Sequence, residues 1–148
     1  MVQKRKPNIL VVDDEEDIRS SLKMILEYEG MNMTPAASAA AALELVQVRQ
    51  FDAVLLDIKM PRMDGLELLG ELRKLQHTMP VVMISGHGTV ATAVEATRLG
   101  AFDFMEKPLE RDRVLLVLRN ALEQHRLREE NQDLRLSYES KYRLIGSS

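Results

Sequence analysis

Ile9-Leu10-Val11-Val12, cut off by Asp13-Asp14-Glu15-Glu16-Asp17, is the stretch that decides the fold. Four consecutive apolar residues leave no polar face, so they read as a strand buried on both sides. Beyond the acidic run, Ile18, Leu22, Ile25 and Leu26 recur at i, i+4, i+7 and i+8, the spacing of an amphipathic helix, which Gly30 closes. The alternation continues along the chain. Residues 31–36 form a weaker strand whose Pro35 places it at a sheet edge or near a strand end. Ser38 caps an alanine-rich helix with Leu43 and Val46 facing inward. Ala53-Val54-Leu55-Leu56 runs into Asp57, and Pro61 and Asp64-Gly65 mark a loop before the helix of Leu68, Leu69, Leu72 and Leu75. Val81-Val82-Met83-Ile84 leads into the turn Ser85-Gly86-His87-Gly88, and Val90 and Val94 sit on a short helix that ends at Gly100. A last strand over 101–105 precedes Lys107-Pro108 and a long helix. Fully apolar strands alternating with helices predict an α/β fold with a parallel sheet covered on both faces, and right-handed crossovers make it doubly wound.

Composition narrows the function. The 148 residues suit one domain with an appendage, and 45% hydrophobic with 29% charged residues is the balance of a folded chain. A net charge of -3 and only three Tyr and three Phe argue against a surface built to bind nucleic acid or stack bases. Without cysteine there is no disulfide framework, thiolate nucleophile or cysteine zinc site, which fits a reducing compartment. His77, His87 and His125 are spaced too widely for a helical zinc pair. No apolar run approaches the ~18 residues of a membrane span, and the one after Lys4-Arg5-Lys6-Pro7 is too short for a signal peptide. The expected location is the cytoplasm, away from any membrane.

In a doubly wound sheet, ligands bind beyond the carboxyl ends of the strands. Four strand ends deliver Asp13 and Asp14, Asp57, Ser85 and Lys107 to that edge. Clustered carboxylates repel one another unless a cation sits among them or one takes a proton. Oxygen donors without histidine or thiolate suit magnesium, and lysine is a point charge for phosphate. An aspartate among them can accept a phosphoryl group as a nucleophile.

At these residues the chain resembles a bacterial response-regulator receiver domain. The resemblance is carried by Ile9-Leu10-Val11-Val12-Asp13-Asp14-Glu15, Val54-Leu55-Leu56-Asp57-Ile58-Lys59-Met60-Pro61, Asp64-Gly65, Ile84-Ser85-Gly86 and Lys107-Pro108, in the family's order over residues 7–122. It implies a flavodoxin-like five-stranded parallel sheet of order 2-1-3-4-5, with helices on both faces and an extended C-terminal helix. It further implies that Asp57 takes a phosphoryl group from a phosphohistidine on a sensor histidine kinase. Asp14, Asp57 and the backbone carbonyl of Lys59 would hold magnesium, Asp13 would act largely through water, and Ser85 and Lys107 would contact the phosphoryl group. Ser85 and Phe104 fall at switch positions, a cis peptide is implied at Lys107-Pro108, and Lys59 and His87 would tune phosphoryl loss. The implied output is a signalling switch with slow autodephosphorylation. Serine stands where threonine is commoner at 85, and Phe104 lacks the hydroxyl of a frequent tyrosine; neither departure removes a required group.

Simpler readings exist for each residue. Asp13 or Asp14 can cap the first helix, Ser85 can serve the turn, Lys107-Pro108 can open the last helix, and Phe104 reads equally as core or switch. His87 can be a solvated loop residue. Three rivals compete at the level of function. A haloacid-dehalogenase-type phosphatase needs a second aspartate two residues after the nucleophile, where Lys59 stands. A dinucleotide-binding domain needs glycines where the acidic run Asp13-Asp14-Glu15-Glu16-Asp17 stands. A receiver-like module that is never phosphorylated would separate from the main reading by its failure to react with a small phosphodonor.

From Leu109 the helical pattern outruns the domain. Val114, Leu115, Leu118 and Leu122 can pack on the sheet, while Leu127, Asn131, Leu134 and Tyr138 follow a 4-3-4 spacing that reads as a short coiled-coil-like seam, hence a homodimer, or as a solvated helix. The end, Tyr142-Arg143-Leu144-Ile145-Gly146-Ser147-Ser148, resembles the opening of the ATPase domain of NtrC-type sigma-54-dependent activators, and the stretches around Ser85 and Phe104 are most similar to NtrX-like members. The expected organisation is a receiver over 1–122, a helical linker over 123–143 and the start of a truncated ATPase domain over 144–148. DNA would be reached only through domains absent from this chain.

Overall fold

Five parallel strands lie side by side: β1 (Asn8–Val12), β2 (Asn32–Ala36), β3 (Ala53–Asp57), β4 (Val81–Ser85) and β5 (Asp103–Glu106), in the order β2-β1-β3-β4-β5. They alternate with α1 (Glu16–Tyr28), α2 (Ala39–Val48), α3 (Gly65–Leu75), α4 (Val90–Arg98) and α5 (Arg111–Gly146). This computed structural model describes residues 5–62, 64–75, 78–86 and 89–146, with side chains through residue 130. The expected fold class and strand order hold, and Pro35 sits on edge strand β2, where its missing N–H leaves no gap in a central ladder.

The apolar runs work because side chains on a strand alternate between faces. Leu10 and Val12 of β1, with Val54 and Leu56 of β3, point to the layer of α2, α3 and α4, where they meet Ala42, Val46, Leu68, Leu69, Leu72 and Ala96. Ile9, Val11, Ala53 and Leu55 point the other way, onto Leu22 and Leu26 of α1 and Val114, Leu115, Leu118 and Ala121 of α5. Both faces are therefore dry, and each such large side chain contributes about 1.5–3 kcal/mol by leaving water. Ser38 caps α2 as its position suggested, accepting from the Ala41 amide at 3.2 Å.

Some expectations need adjustment. The last strand starts at Asp103 rather than at residue 101, since only Phe102 runs in ahead of it, its amide on the Val81 carbonyl at 2.8 Å. Leu75 ends α3 beyond the core and is 46% exposed. On α4, Val90 and Val94 face solvent and the small Ala96 is its one fully buried residue, so this helix has the thinnest apolar attachment to the sheet. The helix α5 continues unbroken to Gly146, 36 residues or about 54 Å. Leu127 of the seam is half-exposed; the side chains of Asn131, Leu134 and Tyr138 lie outside the described residues, as do His77, His87 and Ser147-Ser148. Among the described residues, no helix is long and apolar enough to cross a membrane.

Candidate functional site

Sheet register assembles the site. Val12 is level with Leu56, which brings Asp13, the residue after β1, beside Asp57 at the end of β3. Asp57 in turn pairs with Ile84, one step before Ser85, and Ser85 pairs with Glu106, one step before Lys107. The chain is pinned at each crossing: the Ile58 amide donates to the Ile84 carbonyl at 2.9 Å, and the Lys107 amide to the Ser85 carbonyl at 2.7 Å. The Lys107-Pro108 peptide is cis, as the resemblance implied.

The loop after Asp57 is held as tightly. Gly65 opens α3 against the strand end, its amide donating to the Ile58 carbonyl at 2.7 Å. A Cβ at this position would lie 2.4 Å from the Asp57 carbonyl oxygen and 2.6 Å from Ile58 Cα, so only glycine fits. Asp64 accepts from the Leu66 amide at 2.8 Å, satisfying a free N–H of the first turn. The Asp64-Gly65 pair thus sets how closely α3 buttresses the aspartate.

Lys107 stands at the centre of the charge. Its ammonium lies 3.3 Å from Asp13 Oδ2, 3.3 Å from Asp57 Oδ2 and 3.1 Å from Glu15 Oε1. Asp13 is fully buried and Asp57 and Ser85 nearly so, whereas Asp14 and Glu15 are exposed. Asp13 Oδ1 accepts from the Glu15 amide at 2.8 Å, while Oδ2 makes no hydrogen bond and has only the ion pair with Lys107. Asp57 Oδ1 accepts from the Lys59 amide at 3.3 Å. Burial raises the Asp57 pKa above its ordinary value and the neighbouring Asp13 charge adds to this, with Lys107 and the Lys59 N–H only partly offsetting them. Burial works against the Lys107 charge too, but its hydrogen bond to Glu15 and the charges of Asp57 and Asp13 outweigh it and raise its pKa.

Carboxylate oxygens of Asp13, Asp14, Glu15 and Asp57 lie within 4.8 Å of one another. Four clustered carboxylates against one ammonium leave negative charge in excess, and one of their buried oxygens has no hydrogen bond. An all-oxygen donor set of this kind fits magnesium. The structure therefore brings Asp13, Asp14, Asp57, Ser85 and Lys107 to one edge. Phe104 stands apart on β5, half-buried against the core layer of α2 to α4. Lys59 is exposed at the rim. Sequence reasoning did not single out Glu15 as a partner of Lys107; the signal for it was only that it continues the acidic run after Asp14.

Comparison with known proteins agrees with this arrangement. The response regulator receiver domain family matches residues 9–119. A putative response regulator, NtrX-like, of Rickettsia bellii is 43% identical over 143 residues, 95% of this chain and 30% of that protein. The crystal structure of the receiver domain of NtrX from Brucella abortus is 50% identical, with a TM-score of 0.75, covering 78% of this chain and 98% of that one. The solution structure of a beryllofluoride-activated NtrC4 receiver domain dimer is 39% identical, with a TM-score of 0.77, covering 80% and 98%. The chain spans about 30% of the length of the curated NtrX-like relatives it matches. With the fold, the strand-end cluster and these matches in agreement, the chain belongs to the response regulator receiver domain family and is similar above all to regulators of the NtrX type.

Proposed function

We propose that this chain is the phosphoacceptor of a two-component system, taking a phosphoryl group onto Asp57 from a phosphohistidine on a sensor histidine kinase. The observation that supports this best is the placement of Asp57, buried at the end of a central strand with Lys107 at 3.3 Å and further carboxylates around it. An Asp57 carboxylate oxygen attacks phosphorus, the P–N bond to the kinase imidazole breaks, and the imidazole leaves with that electron pair and takes up a proton. Ser85 donates its hydroxyl hydrogen to a phosphoryl oxygen and Lys107 balances the transferred charge. Asp14, Asp57 and the Lys59 carbonyl would hold magnesium, with Asp13 acting largely through water. Bound there, the ion supplies positive charge that lets a phosphate approach carboxylates. Slow attack by water later returns Asp57 to its free form.

The added charge of about -1.5 to -2 draws Ser85 toward the phosphoryl group, and Phe104 turns into the space this vacates. Residues 1–122 act as the receiver, 123–143 as a helical linker that joins two copies, and 144–148 as the opening of an ATPase domain. Through such further domains the switch regulates transcription from the cytoplasm. Incubation with acetyl phosphate and magnesium, followed by mass mapping, should place one phosphoryl group on Asp57, with none on Asp57→Asn. Full labelling of that variant, or labelling indifferent to a chelator, overturns the reading.

A further inference from the structure

An ammonium has three N–H bonds, and Lys107 has three carboxylates around it: Glu15 at 3.1 Å and Asp13 and Asp57 at 3.3 Å each. These partners differ in kind. Asp13 and Asp57 are buried at strand ends, with their backbones held by the sheet, and both belong to the set that faces magnesium. Glu15 precedes α1, its side chain is 57% exposed, and nothing but Lys107 among its described side-chain partners fixes it. Among the described residues it is the acidic partner that pulls the ammonium outward, toward the rim. We infer that Glu15 is a positioning residue: by sharing the Lys107 ammonium it keeps that charge from settling fully on Asp13 and Asp57, and so leaves their inner oxygens open to the cation.

This rests on the proposed magnesium site and deepens it. Without the Glu15 carboxylate, two buried acids remain to bind one lysine, and the ammonium moves inward onto the oxygens that a divalent ion needs. Magnesium must then displace it. Loss of Glu15 therefore weakens cation binding through Lys107, not through a missing ligand bond. The mobility of an exposed side chain also suits the next step, since Lys107 must leave Glu15 to meet a phosphoryl group and Glu15 can swing into water when it does.

The test is magnesium affinity by titration calorimetry on the full chain, without any phosphodonor. Glu15→Gln should bind magnesium about 3- to 10-fold more weakly than the unaltered protein. Glu16→Gln removes the same charge one residue on, at a position outside the cluster, and should change affinity less than 2-fold. In a Lys107→Met background, which removes the ammonium but keeps the stem, adding Glu15→Gln should cost less than 2-fold, because the group it acts through is gone. An equal loss in Glu15→Gln and Glu16→Gln makes the effect general electrostatics and overturns the inference. A Glu15→Gln loss that persists in the Lys107→Met background makes Glu15 a ligand and overturns it too. No magnesium binding by the unaltered chain removes the site itself, whereas normal binding with an unaffected Glu15→Gln removes only the role of Glu15.

Discussion

At the N-terminal edge of the sheet, polar groups are paired one by one. Arg5 grips both oxygens of Asp52 at 2.9 and 3.1 Å, and the Asn8 amide adds a third bond to that carboxylate at 2.7 Å. Arg73, at the end of α3, donates to the Gly100 carbonyl through Nε at 3.2 Å and Nη2 at 2.6 Å, and to the Met79 carbonyl through Nη1. His125 of α5 lies 3.3 Å from the Thr78 carbonyl and 3.2 Å from Glu129. At the C-terminal edge the matching fails: Asp13, Glu15 and Asp57 share Lys107, exposed Asp14 adds a fourth carboxylate to the cluster, and one buried oxygen has no hydrogen bond. One edge holds the fold, and the other holds negative charge in excess. Cavity size would mislead here. A cavity of about 680 Å³ opens at the N-terminal edge between Val46, Phe51, Thr78 and His125, away from the Asp57 cluster. What distinguishes the functional edge is unbalanced charge.

The two edges are least separable at Gly65, where fold and site depend on the same atom-scale fit. In Gly65→Ala the new methyl meets backbone at 2.4 and 2.6 Å, and neither the Asp57 carbonyl nor Ile58 Cα can rotate away as a side chain would. Either α3 retreats or the strand end moves. The expected loss is about 3 kcal/mol in urea unfolding, with a parallel fall in acetyl phosphate labelling. An alanine variant that keeps both would mean the loop is not held by this contact.

Arg73 tests the independence of the two edges. Charged hydrogen bonds contribute about 1.5–3 kcal/mol each, but part of that returns when water solvates the freed carbonyls, so Arg73→Met should lose about 2 kcal/mol in the same measurement. Labelling of the folded variant should stay within about twofold of normal, because the Asp57 cluster lies at the other end of the strands. A folded Arg73→Met protein that no longer accepts phosphoryl would show that clamping Met79 and Gly100 also shapes the site.

How far the sequence was legible differs between the edges in the same way. Asp13, Asp14, Asp57, Ser85 and Lys107 could be placed because each follows a strand that its apolar run marks, and in a parallel sheet all such ends share one edge. The N-terminal edge gave no comparable signal. Arg73 binds carbonyls, which every residue carries, so no partner residue type betrays it. His125 is buried because α5 overruns the sheet edge and lays one more turn on it, whereas its neighbours Arg126, Leu127 and Arg128 are exposed and read as linker. Glu15 reaches Lys107 across 92 residues through a side-chain torsion that no spacing rule encodes. On α4, Val90 and Val94 have the helical spacing, but the small Ala96 makes the buried contact and leaves them outside.

The smallest expected effect is also the one whose sign separates the edges. The Asp57 pKa is raised from 3.8 in the folded chain, first by burial and then by Asp13. Between the unfolded and folded values the native state therefore holds more protons than the unfolded state, so stability falls as pH rises through that window and does not recover above it. Without metal at neutral pH, the ionised Asp57 is expected to work against the fold. Asp57→Asn keeps the shape and an oxygen that can accept from Lys107 while removing the charge, and it should raise Tm at pH 7 in a chelator. The gain should shrink toward zero as pH falls below the unfolded value, where the carboxyl is neutral in both states. Magnesium at the proposed site should reverse the order, because the variant has lost one of the carboxylates that would hold it and gains less from binding. Thermal melts across pH, each with chelator and with magnesium, read all three effects. An Asp57→Asn protein less stable than the unaltered chain at pH 7 in chelator would mean that Lys107 and Lys59 already satisfy Asp57, and that the C-terminal edge is as well matched as the other.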